Sequence, residues 1–398
     1  MRRTGMRFDL TAKAMNTALK YYAKRAAGRD KSIPGLDALA IRSLKICDGG
    51  NLPAIRPYFW AHQMSRVKDG EWYTARQIIA ELHSRDAVVF RPVLVHEFSN
   101  AFLVDGSVYL GQEIRLELRS ELLRGNFVRR MSVLPIAPQT ECSEAVLTSG
   151  IAGSTWFGHW LVDELPLQML AAHFAPPIAH VRPEHRDEPN YREVLNLPPP
   201  NRVGTALISR LTVVDEFAQN PSKARRYWQI REKLTRKPRG ADRVYLSRGS
   251  WGTARVLRNE RELMDRFQME GYSIIDLSKA SFADLLGVLC GASVVVSVEG
   301  SHLTHALYTM ADFGTVIILN PPSRTLTTVA GIAPFCSLSA AMFICSQNED
   351  GSFSADADEV FMFIDAALDD SRAHRGDLSR FRDSLSKIAV AAPVWSIA

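Results

Sequence analysis

The fold is decided by residues 293–310, SVVVSVEGSHLTHALYTM. The first six residues are four valines and two serines, a composition typical of a buried parallel strand. A turn containing Gly300 and Ser301 follows, and the residues from Thr304 to Met310 fit a helix. A buried strand that leads directly into a helix predicts one strand–helix unit of a parallel sheet.

The same alternation of strand and helix extends to both sides of this stretch. The predicted elements are strand Arg243–Ser247, helix Asn259–Glu270, strand Tyr272–Ile275, helix Ser281–Cys290, strand Ser293–Ser297, helix Thr304–Met310 and strand Val316–Leu319. We therefore expect a parallel sheet with right-handed crossovers. Ligands of such sheets bind where strands end and helices begin.

The first half of the chain does not show this regular alternation of strand and helix. Strands are predicted at residues 88–90, 91–95, 101–104, 107–110 and 211–214, and Asp105-Gly106 is a strong hairpin signal. A helix is predicted from His159 to Ala172, and prolines break the pattern between residues 176 and 200. The tail from Glu359 to Leu385 is predicted to be helical. We expect the protein to have two lobes and this tail to pack back across them.

Length and composition describe a folded protein of several domains. The chain has 398 residues, of which 46% are hydrophobic and 23% charged, and this balance excludes a disordered or fibrous protein. No apolar run approaches the roughly 20 residues that span a bilayer. The basic start at residues 1–7 lacks a following apolar core, so we expect no secretory signal. Five widely spaced cysteines without metal-like pairing indicate reduced thiols in a cytoplasm.

Two basic segments leave alternatives open. Residues 8–27 predict an amphipathic helix that either packs on the body of the protein or contacts an anionic membrane surface peripherally. Residues 223–261 concentrate arginine and lysine, which attract phosphates, although a solvated helix face also accounts for Arg225 to Arg239. No nucleic-acid partner is expected, because only Tyr227 and Trp228 interleave with these charges.

A polar pair interrupts the apolar run at residues 156–166, WFGHWLVDELP. His159 and Asp163 are four residues apart, so on a helix they share one face and can touch. We expect burial against aromatic surface to raise the pKa of Asp163, which suits a general base working near neutral pH. The alternative is a hydrogen-bonded core histidine beside a solvated aspartate.

Two predicted strand-to-helix junctions offer groups for an anion. Arg248 follows the strand that ends at residue 247, and Arg255 precedes the next helix. Arginine forks bind diphosphates in a bidentate manner. At the second junction, Gly300 permits close backbone approach, Ser301 can cap the helix and donate to an anion, and Glu299 can accept from a sugar hydroxyl.

Taken in this order, the segments resemble glycosyltransferase family 61, over roughly residues 153–322. The motifs stand here as Phe157-Gly158-His159-Trp160-Leu161-Val162-Asp163-Glu164-Leu165-Pro166, as Ser247-Arg248 with Arg255 and Asn259-Glu260, and as Glu299-Gly300-Ser301-His302-Leu303-Thr304-His305. Three positions depart from the family's motifs. Glu299 stands in place of a histidine, His305 in place of an asparagine, and Gly158 in place of an aromatic residue.

The resemblance implies an α/β protein of two Rossmann-like lobes, the GT-B type of glycosyltransferase. We expect an acceptor lobe at residues 1–218, a donor lobe at 219–350 and a helical tail at 351–398. The implied activity is inverting transfer from a nucleotide-sugar donor to a glycan or lipid-linked acceptor, in the synthesis of capsule or another surface polysaccharide.

The implied catalytic residues are Asp163, as the base, and His159. The implied donor-binding residues are Arg248, Arg255, Asn259, Glu299, Gly300, Ser301, His302 and His305. We expect no metal or other cofactor, because the only Asp-x-Asp sequence, Asp356-Ala357-Asp358, predicts a helix cap. A binding or scaffold protein that keeps this fold without catalysis is the alternative function.

Overall fold

The structure is a computed structural model that describes residues 40–392, except residues 72, 85, 105–106, 111–112, 116–137, 217, 237–238 and 249–254. The amphipathic segment predicted at residues 8–27 lies outside the described residues. The chain divides into two compact units. Among the described residues, the first unit comprises 40–49, 91–223 and 389–392, and the second comprises 50–90 and 224–388.

This division differs from the predicted boundaries of 1–218, 219–350 and 351–398. Residues 50–90 belong to the second unit although they precede most of the first, and residues 351–388 also belong to the second unit. The chain therefore enters the second unit twice, which no linear boundary describes.

The strands are numbered in chain order. They are β1 (Arg42–Cys47), β2 (Gly50–Pro53), β3 (Ala87–Phe90), β4 (Val93–Val104), β5 (Ser107–Leu110), β6 (Glu113–Arg115), β7 (Thr140–Leu147), β8 (Pro177–His180), β9 (Asn201–Val203), β10 (Thr205–Asp215), β11 (Arg243–Ser247), β12 (Ser273–Asp276), β13 (Val294–Val298), β14 (Thr315–Asn320), β15 (Ser339–Ile344), β16 (Ser346–Gln347) and β17 (Phe353–Ser354).

The α-helices are referred to by their bounds. They are Ala75–Ser84, Ile151–Thr155, Phe157–His159, Leu165–Ala171, Glu188–Leu195, Pro221–Leu234, Glu260–Met269, Phe282–Leu289, Thr304–Thr309, Thr328–Ile332, Ala357–Ala373 and Arg375–Lys387. Short 3-10 helices occur at Ala61–Arg66, Ser301–Leu303, Pro322–Arg324 and Ala333–Cys336, and a π-helical turn occurs at Trp160–Glu164.

The sheet of the first unit is mixed. Its strand order is β6-β5-β4-β10-β7-β8-β9, and β1 also pairs with β4. Strands β10, β7, β8 and β9 run parallel, whereas β1, β5 and β10 are antiparallel to β4. The Rossmann-like sheet expected here is thus found only in part. The hairpin prediction is confirmed, because Val104 pairs with Ser107, and antiparallel neighbours need only such short connections.

The second unit contains the parallel sheet predicted from the sequence. Its order is β12-β11-β13-β14-β15, and all four pairings are parallel. Every residue of β13 and β14 is buried, as expected for central strands covered on both faces. Strand β15 was not predicted. The carboxyl ends of β11, β13 and β14 lead into the loops that carry Arg248, Glu299 and Arg324.

The helical tail is confirmed. Helices Ala357–Ala373 and Arg375–Lys387 both belong to the second unit. The Asp356 side chain accepts from the Glu359 N–H at 2.8 Å, so Asp356 is the helix cap that the sequence predicted. Among the described helices, none combines the length and apolarity required to cross a bilayer.

Candidate functional site

In the first unit, His159 and Asp163 lie in a helical segment that follows β7. The segment changes its winding between them: Phe157–His159 is α-helical, Trp160–Glu164 is π-helical, and the Leu165 N–H bonds to the Trp160 carbonyl. The sequence predicted an uninterrupted α-helix here. Single π-helical turns are rare and occur frequently at functional sites.

Buried side chains fix this π-helical turn. Trp160 is fully buried, and its ring lies between Phe157 at 5.9 Å and Tyr191 at 6.2 Å. Glu164 accepts the backbone N–H of Gly150 at 2.7 Å through Oε1. A side chain at Gly153 would put its Cβ 2.5 Å from the Glu164 carboxyl carbon, so glycine is needed for this approach. The turn is therefore held against the loop after β7.

Asp163 bonds through both of its oxygens. The His159 Nδ1 lies 2.9 Å from Oδ2, and the Lys223 Nζ lies 2.9 Å from Oδ1. The exposed side-chain fraction is 26% for His159, 15% for Asp163 and 1% for Lys223. The predicted contact between His159 and Asp163 is confirmed, and the alternative of a solvated aspartate is wrong.

The predicted direction of the Asp163 pKa is also wrong. Burial on its own would raise the pKa of Asp163, but the Lys223 ammonium and the hydrogen bond from His159 outweigh it and lower the pKa below the ordinary value. Asp163 is therefore ionised at neutral pH. A carboxylate stabilised in this way is a weak base.

In the second unit, three arginines surround one carboxylate. The Arg255 Nη1 lies 3.0 Å from the Glu299 Oε2, and the Arg324 Nε lies 3.7 Å from the same oxygen. Arg248 is close enough to interact electrostatically with Arg255, Arg324 and Glu299. We call these four residues the arginine cluster. It carries two more positive charges than negative ones.

The arginine cluster is poorly neutralised. Burial lowers the pKa of Arg255 to about 10 and also lowers that of Arg248, while it raises the pKa of Glu299. Three buried guanidinium nitrogens have no hydrogen-bond partner within the described part of the chain: Arg248 Nη1, Arg255 Nε and Arg324 Nε. Buried polar groups are normally bonded, so this cluster is suited to an anion with several oxygens.

Gly300 and His302 complete this edge of the sheet. A Cβ at Gly300 would lie 2.6 Å from the Arg255 Nη1 and 2.8 Å from the His302 Nδ1, which explains the glycine. Burial, with Arg248 nearby, lowers the pKa of His302 well below its ordinary value, so the ring is neutral. The Ser297 hydroxyl donates to the Leu246 carbonyl and therefore accepts from the His302 Nε2 at 2.8 Å. The His302 Nδ1 is left as an acceptor.

The family model described as Glycosyltransferase 61 matches residues 157–318. This segment of the chain is therefore similar to glycosyltransferase family 61. No curated protein matches the sequence. The matched segment includes His159, Asp163, Arg248, Arg255 and Glu299. The family model thus supports the resemblance to family 61 that the three motifs indicated, over residues 157–318.

Other residues of the family 61 motifs are placed differently. Both polar groups of the Asn259 amide bond to the backbone of Ala355, at 2.7 and 3.2 Å, which gives Asn259 a role in holding its loop. His305 is 2% exposed and lies near enough to His302 to affect its pKa. Ser301 begins a three-residue 3-10 helix. The structure thus brings the arginines of the cluster together with Glu299, Gly300 and His302. The Asn259 side chain instead bonds to the backbone of Ala355.

Two candidate functional residues, Lys223 and Arg324, were not predicted from the sequence. Lys223 was included in the basic block but was not connected with Asp163, which lies 60 residues away. Arg324 follows β14 and lies beyond the segment matched to family 61. The rule that ligands bind at the carboxyl ends of parallel strands would have pointed to Arg324.

The solvated helix face proposed for Arg225 to Arg239 is wrong in part. Arg226 is 6% exposed and Arg231 is 4% exposed. Arg231 donates to the Met310 carbonyl at 2.9 Å and to Asp312 at 2.8 Å. Arg231 therefore stabilises the second unit through these bonds.

Within the described ranges, no group of three or more His, Cys, Asp or Glu side chains is arranged around a common point. The five cysteines are free thiols, and burial raises the pKa of Cys142 and raises that of Cys336 to about 12.

Proposed function

We propose that the chain transfers a sugar, with inversion, from a nucleoside diphosphate donor to a glycan or lipid-linked glycan acceptor in surface polysaccharide synthesis. The arginine cluster of the second unit is the observation that carries this proposal. The match of residues 157–318 to family 61 supports the reaction class. The proposal includes a GT-B type of fold, with acceptor binding assigned to the first unit and donor binding to the second.

The donor diphosphate is assigned to Arg248, Arg255 and Arg324. Their excess positive charge and unbonded N–H groups favour a dianionic ligand with many acceptor oxygens. Charge accumulates on the leaving diphosphate in the transition state, and fixed guanidinium groups stabilise it there. In this proposal the arginines perform the task, and no metal ion is required.

Recognition of the sugar or ribose is assigned to Glu299 and His302. A neutral imidazole whose Nδ1 is an acceptor cannot donate to a phosphate from that atom, but it can accept from a hydroxyl group. Glu299 is likewise an acceptor. Donor hydroxyls next to the diphosphate would therefore meet acceptors, and phosphate oxygens would meet donors.

Proton removal is assigned to the His159–Asp163 pair of the first unit. Inverting transfer needs one positioned group that takes the proton of the acceptor hydroxyl as its oxygen attacks the anomeric carbon. The 2.9 Å contact between the His159 Nδ1 and Asp163 provides such a group.

A donor-binding protein without catalysis is the second candidate. The observation that favours it is Glu299, which stands where the family's motif has histidine and contacts Arg255 directly. Such a protein would bind nucleotide sugars through the same arginines. It would neither hydrolyse the donor nor transfer its sugar to any acceptor.

The test is a thermal-shift screen of the purified full chain against UDP-, GDP-, ADP- and dTDP-linked sugars. A ligand at 100 times its Kd stabilises the native state by about 2.7 kcal/mol. Arg255→Ala and Arg324→Ala should abolish the shift, whereas Arg236→Ala, which removes an exposed arginine paired with Glu232, should not. Unchanged shifts in both cluster variants would place the diphosphate elsewhere.

Turnover then separates the two candidates. The donor that gives the largest shift is incubated with glycan acceptors, and the released nucleoside diphosphate is measured with and without EDTA. Release that continues in EDTA supports metal-independent transfer. Binding without release for every acceptor supports the non-catalytic protein.

A further inference from the structure

Hydrogen bonds join Lys223 to Asp163 and Asp163 to His159, and they determine which atom of the three side chains can receive a proton. The inference drawn from them rests on the proposed function. Asp163 is ionised and can only accept hydrogen bonds, so both of its contacts must come from donors. Lys223 donates to Oδ1. The His159 Nδ1, 2.9 Å from Oδ2, must therefore carry hydrogen.

This assignment fixes the tautomer of His159. A neutral imidazole carries one ring hydrogen, and with that hydrogen on Nδ1 the lone pair is on Nε2. The Trp156 ring packs beside the imidazole at 5.8 Å and restricts its rotation. Exposure rises from Lys223 through Asp163 to His159, at 1%, 15% and 26%. The imidazole of His159 is thus the most exposed of the three side chains.

We infer that the Nε2 atom of His159, and not the Asp163 carboxylate, takes the proton of the acceptor hydroxyl. The hydroxyl O–H bond breaks, and its proton moves to Nε2. The oxygen forms the new bond to the anomeric carbon. The bond from that carbon to the diphosphate breaks, and its electron pair leaves with the diphosphate.

Asp163 and Lys223 are positioning residues in this scheme. Asp163 holds the tautomer and stabilises the imidazolium that forms, as a buried carboxylate does for the histidine of a serine-protease triad. Lys223 keeps Asp163 charged, and in doing so makes it a poor proton acceptor. Imidazoles as a class change charge near neutral pH, which suits a general base.

The tautomer is tested first, without any ligand. The full chain is labelled with ¹⁵N-histidine, and a long-range ¹H–¹⁵N spectrum is recorded at a pH where the ring is neutral. His159→Gln assigns the signal. The expected spectrum has a protonated Nδ1 and an unprotonated Nε2. The opposite assignment overturns the inference whether or not transfer is ever detected.

Chemical rescue tests the catalytic role. With the donor selected by thermal shift, His159→Gly should lower transfer by about 10²- to 10⁴-fold, the usual contribution of general acid–base catalysis. Added imidazole should restore at least 10-fold of this loss, with an efficiency that follows the basicity of substituted imidazoles. His173→Gly, at an exposed histidine of the same unit, should keep full activity.

The outcomes separate the inference from the proposed function. Activity of His159→Gly within 3-fold of wild type, or a loss that no imidazole restores in a variant with native circular dichroism, overturns the inference while transfer stands. Absence of transfer by the wild type with every donor contradicts the proposed function, and the nitrogen spectrum still decides the tautomer.

Discussion

At Asp163, the Lys223 ammonium contributes both to the charge state of the carboxylate and to stability. Lys223→Met removes the ammonium 2.9 Å from Oδ1 and leaves a carboxylate that is only 15% exposed. Breaking a buried ion pair by removing one partner costs about 3–5 kcal/mol. We therefore expect the free energy of unfolding to fall by about 3 kcal/mol, measured by urea denaturation at neutral pH.

A matched lysine provides the control for this measurement. Lys279→Met breaks a surface pair with Asp276 in which the lysine is 83% exposed, and it should change stability by less than about 1 kcal/mol. The double variant Lys223→Met/Asp163→Asn removes both buried charges and should recover part of the loss. Equal stability of Lys223→Met and wild type would show that the pair contributes nothing.

Acid should reveal the lowered pKa of Asp163. The unfolded chain titrates this group near its ordinary value of about 3.9, and the folded chain titrates it lower. The stabilisation is therefore complete above the unfolded value and is lost as the pH falls towards the folded one. The difference in unfolding free energy between wild type and Asp163→Asn should shrink below about pH 4. A difference that grows with acid would reverse the assigned direction.

The contact between His159 and Asp163 could be predicted from the sequence, whereas the surroundings of these residues could not. His159 and Asp163 are four apart, so their contact followed from helical geometry. Lys223 comes from a segment 60 residues away, and burial of its side chain depends on tertiary packing that no local pattern contains. The direction of the Asp163 pKa shift therefore could not be predicted from the sequence, although the contact of Asp163 with His159 could.

At the scale of elements, the packing of Glu164 against the Ile151–Thr155 helix makes Gly153 sensitive. Gly153→Ala would place a methyl group 2.5 Å from the Glu164 carboxyl carbon, and overpacking costs about 1–3 kcal/mol. Gly287→Ala is the control, because nothing lies within 4 Å of a Cβ there. Thermal unfolding should show Gly153→Ala less stable and Gly287→Ala more stable by about 0.5–1 kcal/mol. Equal melting temperatures for both would contradict this packing.

The strands of the second unit were predicted well for a physical reason. Strands buried on both faces are short continuous apolar runs, and β11 has the predicted bounds Arg243–Ser247. The π-helical turn could not be predicted, since Trp160–Glu164 has the same apolar spacing as an α-helix. It differs in backbone hydrogen bonding, such as the bond from the Leu165 N–H to the Trp160 carbonyl. The mixed sheet of the first unit depends on pairing partners far apart in sequence, such as β4 and β10.

In the whole molecule, no single continuous segment of the sequence contains all of the second unit. Residues 50–90 complete it: the Tyr58 N–H bonds to the Ala340 carbonyl at 2.9 Å, and Arg66 pairs with Glu359 at 2.7 Å. The Gln63 side chain, fully buried, accepts from the Ile344 N–H at 3.1 Å. A fragment of residues 219–398 would leave these groups unpaired, so we expect it not to unfold cooperatively in urea.

The matched control restores the missing piece. A chain of residues 50–90 joined through a flexible linker to residues 224–388 contains all parts of the second unit and should show one cooperative transition by circular dichroism. If the fragment 219–398 unfolds as cooperatively as this fusion, residues 50–90 are dispensable for the unit.

This discontinuity has a consequence during translation. Residues 50–90 leave the ribosome about 250 residues before β15, whose edge they cover, which at 5–20 residues per second is about 12 to 50 s. For that interval Tyr58 and Trp60 lack Phe363, against which both rings pack in the folded protein. Co-translational misfolding and chaperone capture therefore compete with productive folding chiefly in this window, and synonymous codons that slow synthesis between residues 90 and 339 would lengthen it.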